Sequence, residues 1–222
     1  MNNILLSGIS GFPDLAQGDN IADVVAARTS FEDGDVLVVA SQLVSITEGQ
    51  AVPLAEDDAE GRSALLASQS TRVLRVRDDL QITETPHGFI CENGGVDWSY
   101  KEGHGLLLPR DPDRSAFKMR ERLRATTGID VAVIISHRLT RAWRNGVVGV
   151  ALGCCGITPV LIHRNPEVCV VDELASAASL AMGLSMSTQA VLIRGVSPDL
   201  LDITLAGVRT DVVQKPADVL FR

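Results

Sequence analysis

Apolar and polar positions follow two different periods along the chain. Short apolar runs bounded by turn residues predict β-strands, whereas apolar residues spaced three and four apart predict amphipathic helices. The predicted strands cover residues 4–9, 36–40, 73–76, 88–91, 131–135, 148–153 and 190–194. Helices are predicted from an Asp19 or Asn20 N-cap to Arg28, over residues 59–69, from Asp113 up to Gly128, and over residues 171–182. The alternation of both periods predicts a mixed α and β architecture.

The strand pattern also predicts a buried core. The centres of the predicted strands contribute Val36, Val38, Val133, Ile135, Val150 and Leu192. These aliphatic side chains gain most from leaving water, so each is expected to be inaccessible to solvent.

Composition narrows the classes of function. The chain of 222 residues has 20 basic and 28 acidic side chains, a net charge of −8, which argues against nucleic-acid binding because phosphate backbones require a cationic face. The longest apolar run, residues 147–162, is shorter than the ~20 residues of a membrane span and contains Pro159. Four cysteines without zinc-ligand spacing are typical of a reduced, cytoplasmic protein.

A glycine pair precedes a carboxylate in residues 93–100. Gly94 and Gly95 permit unusual backbone angles and close approach of a ligand, and Asp97 offers hard oxygen ligands to a divalent cation. The alternative is an ordinary surface turn, because glycine and aspartate are common in such loops.

A second polar segment, residues 136–146, follows the predicted strand at 131–135. Arg138, Arg141 and Arg144 lie within seven residues, and arginine binds phosphate through two parallel hydrogen bonds. The alternative is a solvated loop in which Trp143 packs on the core. Lone histidines such as His137 are more often structural than catalytic.

Taken in order, several segments resemble the coenzyme F420-0:L-glutamate ligase (F420-0:γ-glutamyl ligase) family, over residues 8 to about 195. The matching stretches in the first half are residues 11–13, 18–20, 33–41, 44–45, 48–49 and 93–99. Those in the second half are residues 106–109, 111–113, 115–116, 133–135, Arg141, 143–144, Gly146, 149–153, Gly156, 172–175 and 194–195. The resemblance implies an intertwined, mixed-sheet α+β fold. It further implies one ligase-like domain over residues 1–222, with two intertwined subdomains as an alternative and an unassigned tail at 197–222.

The resemblance also implies a reaction. Members of the family are homodimeric, GTP-dependent ligases that activate a carboxylate of the deazaflavin cofactor precursor as an acyl phosphate and join it to L-glutamate. They use Mn²⁺ or Mg²⁺, and K⁺ helps. The implied partners are therefore a nucleotide and a small-molecule substrate.

Site residues follow from the matching positions. The implied nucleotide-binding residues are Gly11, Phe12, Pro13, Ser41 and Ser99. Asp97 is the implied metal ligand, and Arg138, Arg141 and Arg144 are the implied catalytic cations.

The sequence departs from the family pattern at several of these places. Ile46 replaces a lysine, Tyr100 an asparagine, and His137 with Arg138 a metal-binding Asp-Thr pair. The last change removes one negative and adds one positive charge, a net change of +2 that equals the charge of one divalent ion, so one hypothesis is that Arg138 binds phosphate where a metal stood. The other is a decayed site in a non-catalytic homologue that acts as a binding or assembly protein.

Overall fold

The computed structural model describes residues 3–55, 58–162, 166–183, 188–202 and 207–214. Its centre is a five-stranded mixed sheet in the order β1, β12, β2, β8, β9. These strands are β1 (Leu5–Ser10), β2 (Val36–Ala40), β8 (Ala132–Thr140), β9 (Val147–Cys155) and β12 (Thr188–Arg194). Only β2 and β8 pair in parallel; the other three pairings are antiparallel.

Helices cover both faces of this sheet. They are α1 (Ile21–Ala26), α2 (Ser41–Thr47), α4 (Pro112–Thr127), α5 (Val170–Met182) and α6 (Val208–Asp211). A further helix, α3 (Ala59–Ser68), has no buried residue and contacts the turn at Asn93–Gly95. Alternate residues of a strand point to opposite faces, so the sheet separates two clusters. Val133 and Ile135 pack with α1, α2 and α4, whereas Ala132 and Ile134 pack with α5.

Smaller sheets lie outside the central one. The strands β3 (Ala51–Pro53) and β7 (His104–Leu106) form a pair, and β10 (Val160–Leu161) pairs with β11 (Val168–Cys169). The strands β4 (Arg72–Arg77), β5 (Leu80–Glu84) and β6 (Ile90–Glu92) form an antiparallel meander.

The structure confirms the predicted α+β class and all six predicted core residues. Val36, Val38, Val133, Ile135, Val150 and Leu192 are each at most 6% exposed. The pattern did not reveal α2, β3, β5, β7, β10 or β11. Most of these elements are short, and a segment of two to five residues is too short for a hydrophobic period to stand out.

One prediction about β8 is wrong in a way that affects the site. The polar residues after Ile135 suggested a loop, but the strand continues through Ser136, His137 and Arg138 to Thr140. Pairing with β9 holds this extension. Its polar side chains project from an ordered strand.

Part of the segment predicted as an unassigned tail packs against the core. A 3₁₀ turn at Pro198–Leu200 and α6 follow β12, and Val208 is buried. Residues 203–206 and 215–222 lie outside the described residues. None of the helices in the described part of the chain combines the length and apolar character that a membrane crossing requires.

Candidate functional site at one edge of the central sheet

The topology gathers three predicted segments at one sheet edge. Because β1 and β2 are both antiparallel to β12, and β8 is parallel to β2, the carboxyl ends of β1, β2 and β8 lie at the same edge. Gly11 follows β1, Ser41 follows β2, and His137 lies on the final part of β8. Ligands of open α/β sheets commonly bind at such an edge.

Ser41 and His137 form the centre of the site. Ser41 is buried at the start of α2, and its Oγ shares a 2.7 Å hydrogen bond with Nδ1 of His137. Burial lowers the pKa of His137 to about 4, although the nearby charge of Asp97 acts in the opposite direction. The imidazole is therefore neutral near pH 7.

Asp97 reaches the same place from the glycine turn. Gly94 and Gly95 have positive φ, and a side chain at Gly95 would collide with Leu108, so the turn needs glycine there.

The two oxygens of the Asp97 carboxylate have different partners. Asp97 Oδ1 accepts hydrogen bonds from Ser99 N at 2.8 Å and Ser99 Oγ at 2.7 Å. Its Oδ2 faces Nε2 of Gln42 at 3.4 Å. Four polar side chains thus converge with His137: Ser41, Gln42, Asp97 and Ser99.

The donor set does not fit a resident divalent cation. The described residues contain no group of three histidine, cysteine, aspartate or glutamate side chains arranged to hold a metal. Among the described residues, Asp97 is the one carboxylate with hydrogen bonds to this group, and Ser99 already engages its Oδ1. Mg²⁺ bound by so few protein oxygens depends on substrate phosphates for the rest of its shell.

Arg138 is not brought to this site. Successive strand residues face opposite sides, so His137 faces α2 while Arg138 faces α5. Its Nη2 donates to the backbone carbonyls of Ser179, at 3.3 Å, and Gly183, where α5 ends. A cation at a helix C-terminus interacts favourably with the last carbonyls of the helix. This geometry does not support the hypothesis that Arg138 replaces a metal.

The other predicted cations lie at the tip of the β8–β9 hairpin. Arg141 and Arg144 are exposed, and Trp143 is 95% exposed with a positive φ of 64°. The alternative interpretation of this segment, in which Trp143 packs on the core, is therefore wrong. No hydrogen bond among the described residues joins either arginine to the Ser41–His137 pair.

Gly11, Phe12 and Pro13 have a local partner. Arg28, just beyond α1, donates from Nε to the Gly11 carbonyl at 2.9 Å, and its guanidinium lies 5.9 Å from the centre of the Phe12 ring. The turn is held at the site edge by this arginine.

Most acidic residues in the matching segments stabilise the fold. Glu48 accepts hydrogen bonds from Arg110 N at 2.9 Å and from Ser115 Oγ, which ties α2 to the start of α4. Asp113 accepts from Cys154 N at 2.9 Å, and Asp172 from Ala151 N at 2.8 Å. The backbone hydrogen bonds of these carboxylates account for the residue type at those positions.

Comparison with known proteins decides the family. A family model described as F420-0:Gamma-glutamyl ligase matches residues 11–195. The chain belongs to this family. A protein of Methanopyrus kandleri named coenzyme F420:L-glutamate ligase is 36% identical over 92% of both chains. A relative of the same name in Methanothermobacter thermautotrophicus is 39% identical over 86% of this chain and 89% of its own. Another, in Archaeoglobus fulgidus, is 35% identical over 85% of this chain and 86% of its own.

Within this F420-0:γ-glutamyl ligase chain, sequence reasoning missed two residues of the site. His137 was treated as an isolated histidine, and Gln42 was not considered. Strand alternation would have separated His137 from Arg138 if β8 had been extended beyond Ile135. Gln42 had no signal, because α2 was not predicted.

Proposed function

We propose that this chain is a ligase that joins the amino group of L-glutamate to a carboxylate on a phosphorylated small molecule. Support comes from relatives named coenzyme F420:L-glutamate ligase, which are 33–39% identical and match along most of both chains. The polar group at the sheet edge is where we expect the reaction.

GTP is the proposed source of energy. The substrate carboxylate attacks the γ-phosphorus and GDP leaves; the amine then attacks the acyl carbon, releases phosphate and loses a proton. Such phosphoryl transfer depends mainly on positioning and on stabilising charge. Gly11, Phe12, Pro13, Ser41 and Ser99 are proposed to contact the nucleotide, and Arg141 and Arg144 the phosphoryl groups. Any Mn²⁺ or Mg²⁺ is expected to enter with the nucleotide.

A homodimer is part of the proposal. Side chains of Val73, Val76 and Ile90 on the β4–β6 meander and of Trp143 on the hairpin are exposed. Large apolar side chains that are exposed in one chain lose contact with water when a second copy covers them. Light scattering at micromolar concentration is expected to give twice the mass of the chain, and a monomer would contradict this part of the proposal.

The test is product formation by purified protein. The protein is incubated with L-glutamate, the F420 precursor that lacks glutamate, GTP, Mg²⁺ or Mn²⁺ and K⁺. Mass spectrometry should detect a product that is heavier than the precursor by one glutamyl residue, together with GDP and phosphate. Substituting ATP for GTP tests nucleotide choice.

The second candidate is a non-catalytic homologue that acts as a binding or assembly protein. It is favoured by the single carboxylate of the site, since no metal-binding group occurs among the described residues. Nucleotide binding without product under any metal condition would support this candidate over the ligase.

A further inference from the structure

Two acceptor atoms in the site have fixed orientations and unused capacity. Ser99 anchors Oδ1 of Asp97, while Oδ2 has only the 3.4 Å contact with Gln42, longer than a usual N–H···O bond. Ser41 anchors Nδ1 of His137, and Nε2 has no hydrogen bond to any described residue. In the tautomer with the proton on Nδ1, this N–H donates a hydrogen bond to Ser41 Oγ, and Nε2 keeps a lone pair.

The charge of this pair matches a monovalent cation. Asp97 contributes one carboxylate, and His137, in the tautomer described above, contributes a neutral acceptor. A divalent ion bound by one carboxylate and one neutral imidazole would keep one positive charge uncompensated. A primary ammonium carries one positive charge and three N–H donors, so one carboxylate and neighbouring neutral acceptors can satisfy it.

We propose that Asp97 and His137 bind the α-ammonium group of the amino-acid substrate, through Asp97 Oδ2 and His137 Nε2. The inference rests on the proposed function, which supplies the amino acid. It makes Asp97 an ammonium ligand in place of the metal ligand that the sequence predicted, and it assigns His137 to substrate binding.

The electrostatic surroundings favour this arrangement. Arg138, the nearest cation along β8, points to α5 on the other face of the sheet and does not oppose an incoming ammonium. Gln42 presents an amide whose oxygen has no hydrogen bond within the described chain, so it offers a further neutral acceptor beside Asp97.

Calorimetry with L-glutamate, in the absence and presence of GDP, tests the proposal. Glutarate, which lacks the amino group, is the comparison ligand. Wild type should bind L-glutamate about tenfold or more tightly than glutarate. Asp97→Asn should weaken L-glutamate binding about tenfold, and His137→Gln by about threefold to tenfold, with glutarate binding little changed in both.

Two control variants remove a carboxylate and an imidazole outside the proposed site. Asp79→Asn loses one carboxylate from the exposed β4–β5 turn, and His87→Gln loses an imidazole that contacts Arg110. Both should bind L-glutamate within about twofold of wild type. Unchanged melting temperatures would show that the site variants are folded.

A reciprocal variant tests the charge argument. His137→Asp places a second carboxylate near Asp97 and should create Mn²⁺ binding in the nucleotide-free protein that wild type lacks. Tight Mn²⁺ binding by wild type that displaces L-glutamate would overturn the proposal.

Other outcomes separate this inference from the proposed function. The inference is overturned if wild type binds no L-glutamate with or without GDP, or if it binds glutarate as tightly as L-glutamate. It is also overturned if Asp97→Asn and His137→Gln both bind L-glutamate as tightly as wild type. Selective L-glutamate binding without amide formation leaves the inference standing and removes the proposed function. Amide formation with an unchanged KM for L-glutamate in both variants removes the inference alone.

Discussion

The two ends of the parallel strand pair β2–β8 differ in how their polar groups are used. At the start of the strands, the Asp35 carboxylate receives two hydrogen bonds from Arg194, at 2.7 and 2.8 Å, and Arg120 binds Asp130 at 2.6 Å. At the other end, the Gln42–Asp97 contact is 3.4 Å long, and Nε2 of His137 has no hydrogen bond to any residue that the structure describes. Charges that are already paired maintain a fold, whereas polar groups with unused capacity can bind a ligand.

A cavity of about 190 Å³ lies at the first end, which makes the contrast informative. Arg120, Asp130 and Gly156 are among its lining residues. Nη2 of Arg120 binds Asp130 there, whereas the buried Nε of Arg120 has no hydrogen bond to a described residue. The carboxylates are what distinguish the two ends, because Asp35 and Asp130 are bound by arginines, whereas Oδ2 of Asp97 has only the 3.4 Å contact with Gln42.

The largest expected effect tests the structural end. Asp35→Ala removes a buried carboxylate that also accepts from Glu32 N at 2.8 Å, and it should lower the free energy of unfolding by about 3 kcal/mol. Asp97→Asn should lower it by less than about 1 kcal/mol, because asparagine keeps an acceptor for Ser99. Denaturant unfolding measures both. Equal losses of unfolding free energy in the two variants would contradict the distinction between a structural end and a ligand-binding end.

The second effect concerns acid stability at the site end. With a folded pKa of about 4, against 6.5 for a free histidine, His137 resists protonation in the folded state. Stability is therefore complete above pH 6.5 and falls as the pH decreases toward 4, by roughly 2 kcal/mol for a ring with some solvent contact. His137→Gln should flatten this part of the stability profile. An identical slope in the variant would contradict the assignment.

Arg138→Ala should have a smaller effect. The substitution removes donors to the last carbonyls of α5 and should cost about 1 kcal/mol in the free energy of unfolding. Nucleotide affinity, measured by calorimetry, should be unchanged because the side chain faces away from His137. A clear loss of nucleotide affinity in Arg138→Ala would show that Arg138 contributes to nucleotide binding and would contradict this prediction.

Trp143→Ser should have the smallest effect on the folded chain. Because its side chain is 95% exposed, the free energy of unfolding of a dilute sample should change by less than about 0.5 kcal/mol. In the proposed homodimer the same substitution should weaken self-association, which analytical ultracentrifugation measures. A large loss of stability at low concentration would mean that Trp143 packs within its own chain.

Local pattern predicted several parts of the site segments correctly. The apolar runs of β2 and β8 and the glycine turn before Asp97 were visible because each depends on residues that are adjacent in the chain. The short elements α2 and β7 were not visible. Their residues are stabilised by contacts with distant segments, such as the backbone pairing of Asp97 with Leu106.

The sequence by itself determined the family, the mixed α and β composition and the identity of the buried strands, since fixed motif spacings and hydrophobic runs are properties of the linear chain. Only the tertiary structure decided which polar residues share the site. The continuation of β8 placed His137 and Arg138 on opposite faces, and long-range hydrogen bonds used Glu48, Asp113 and Asp172 to stabilise the fold. Those outcomes depend on where distant backbone groups need a partner, and residue type alone does not contain that information.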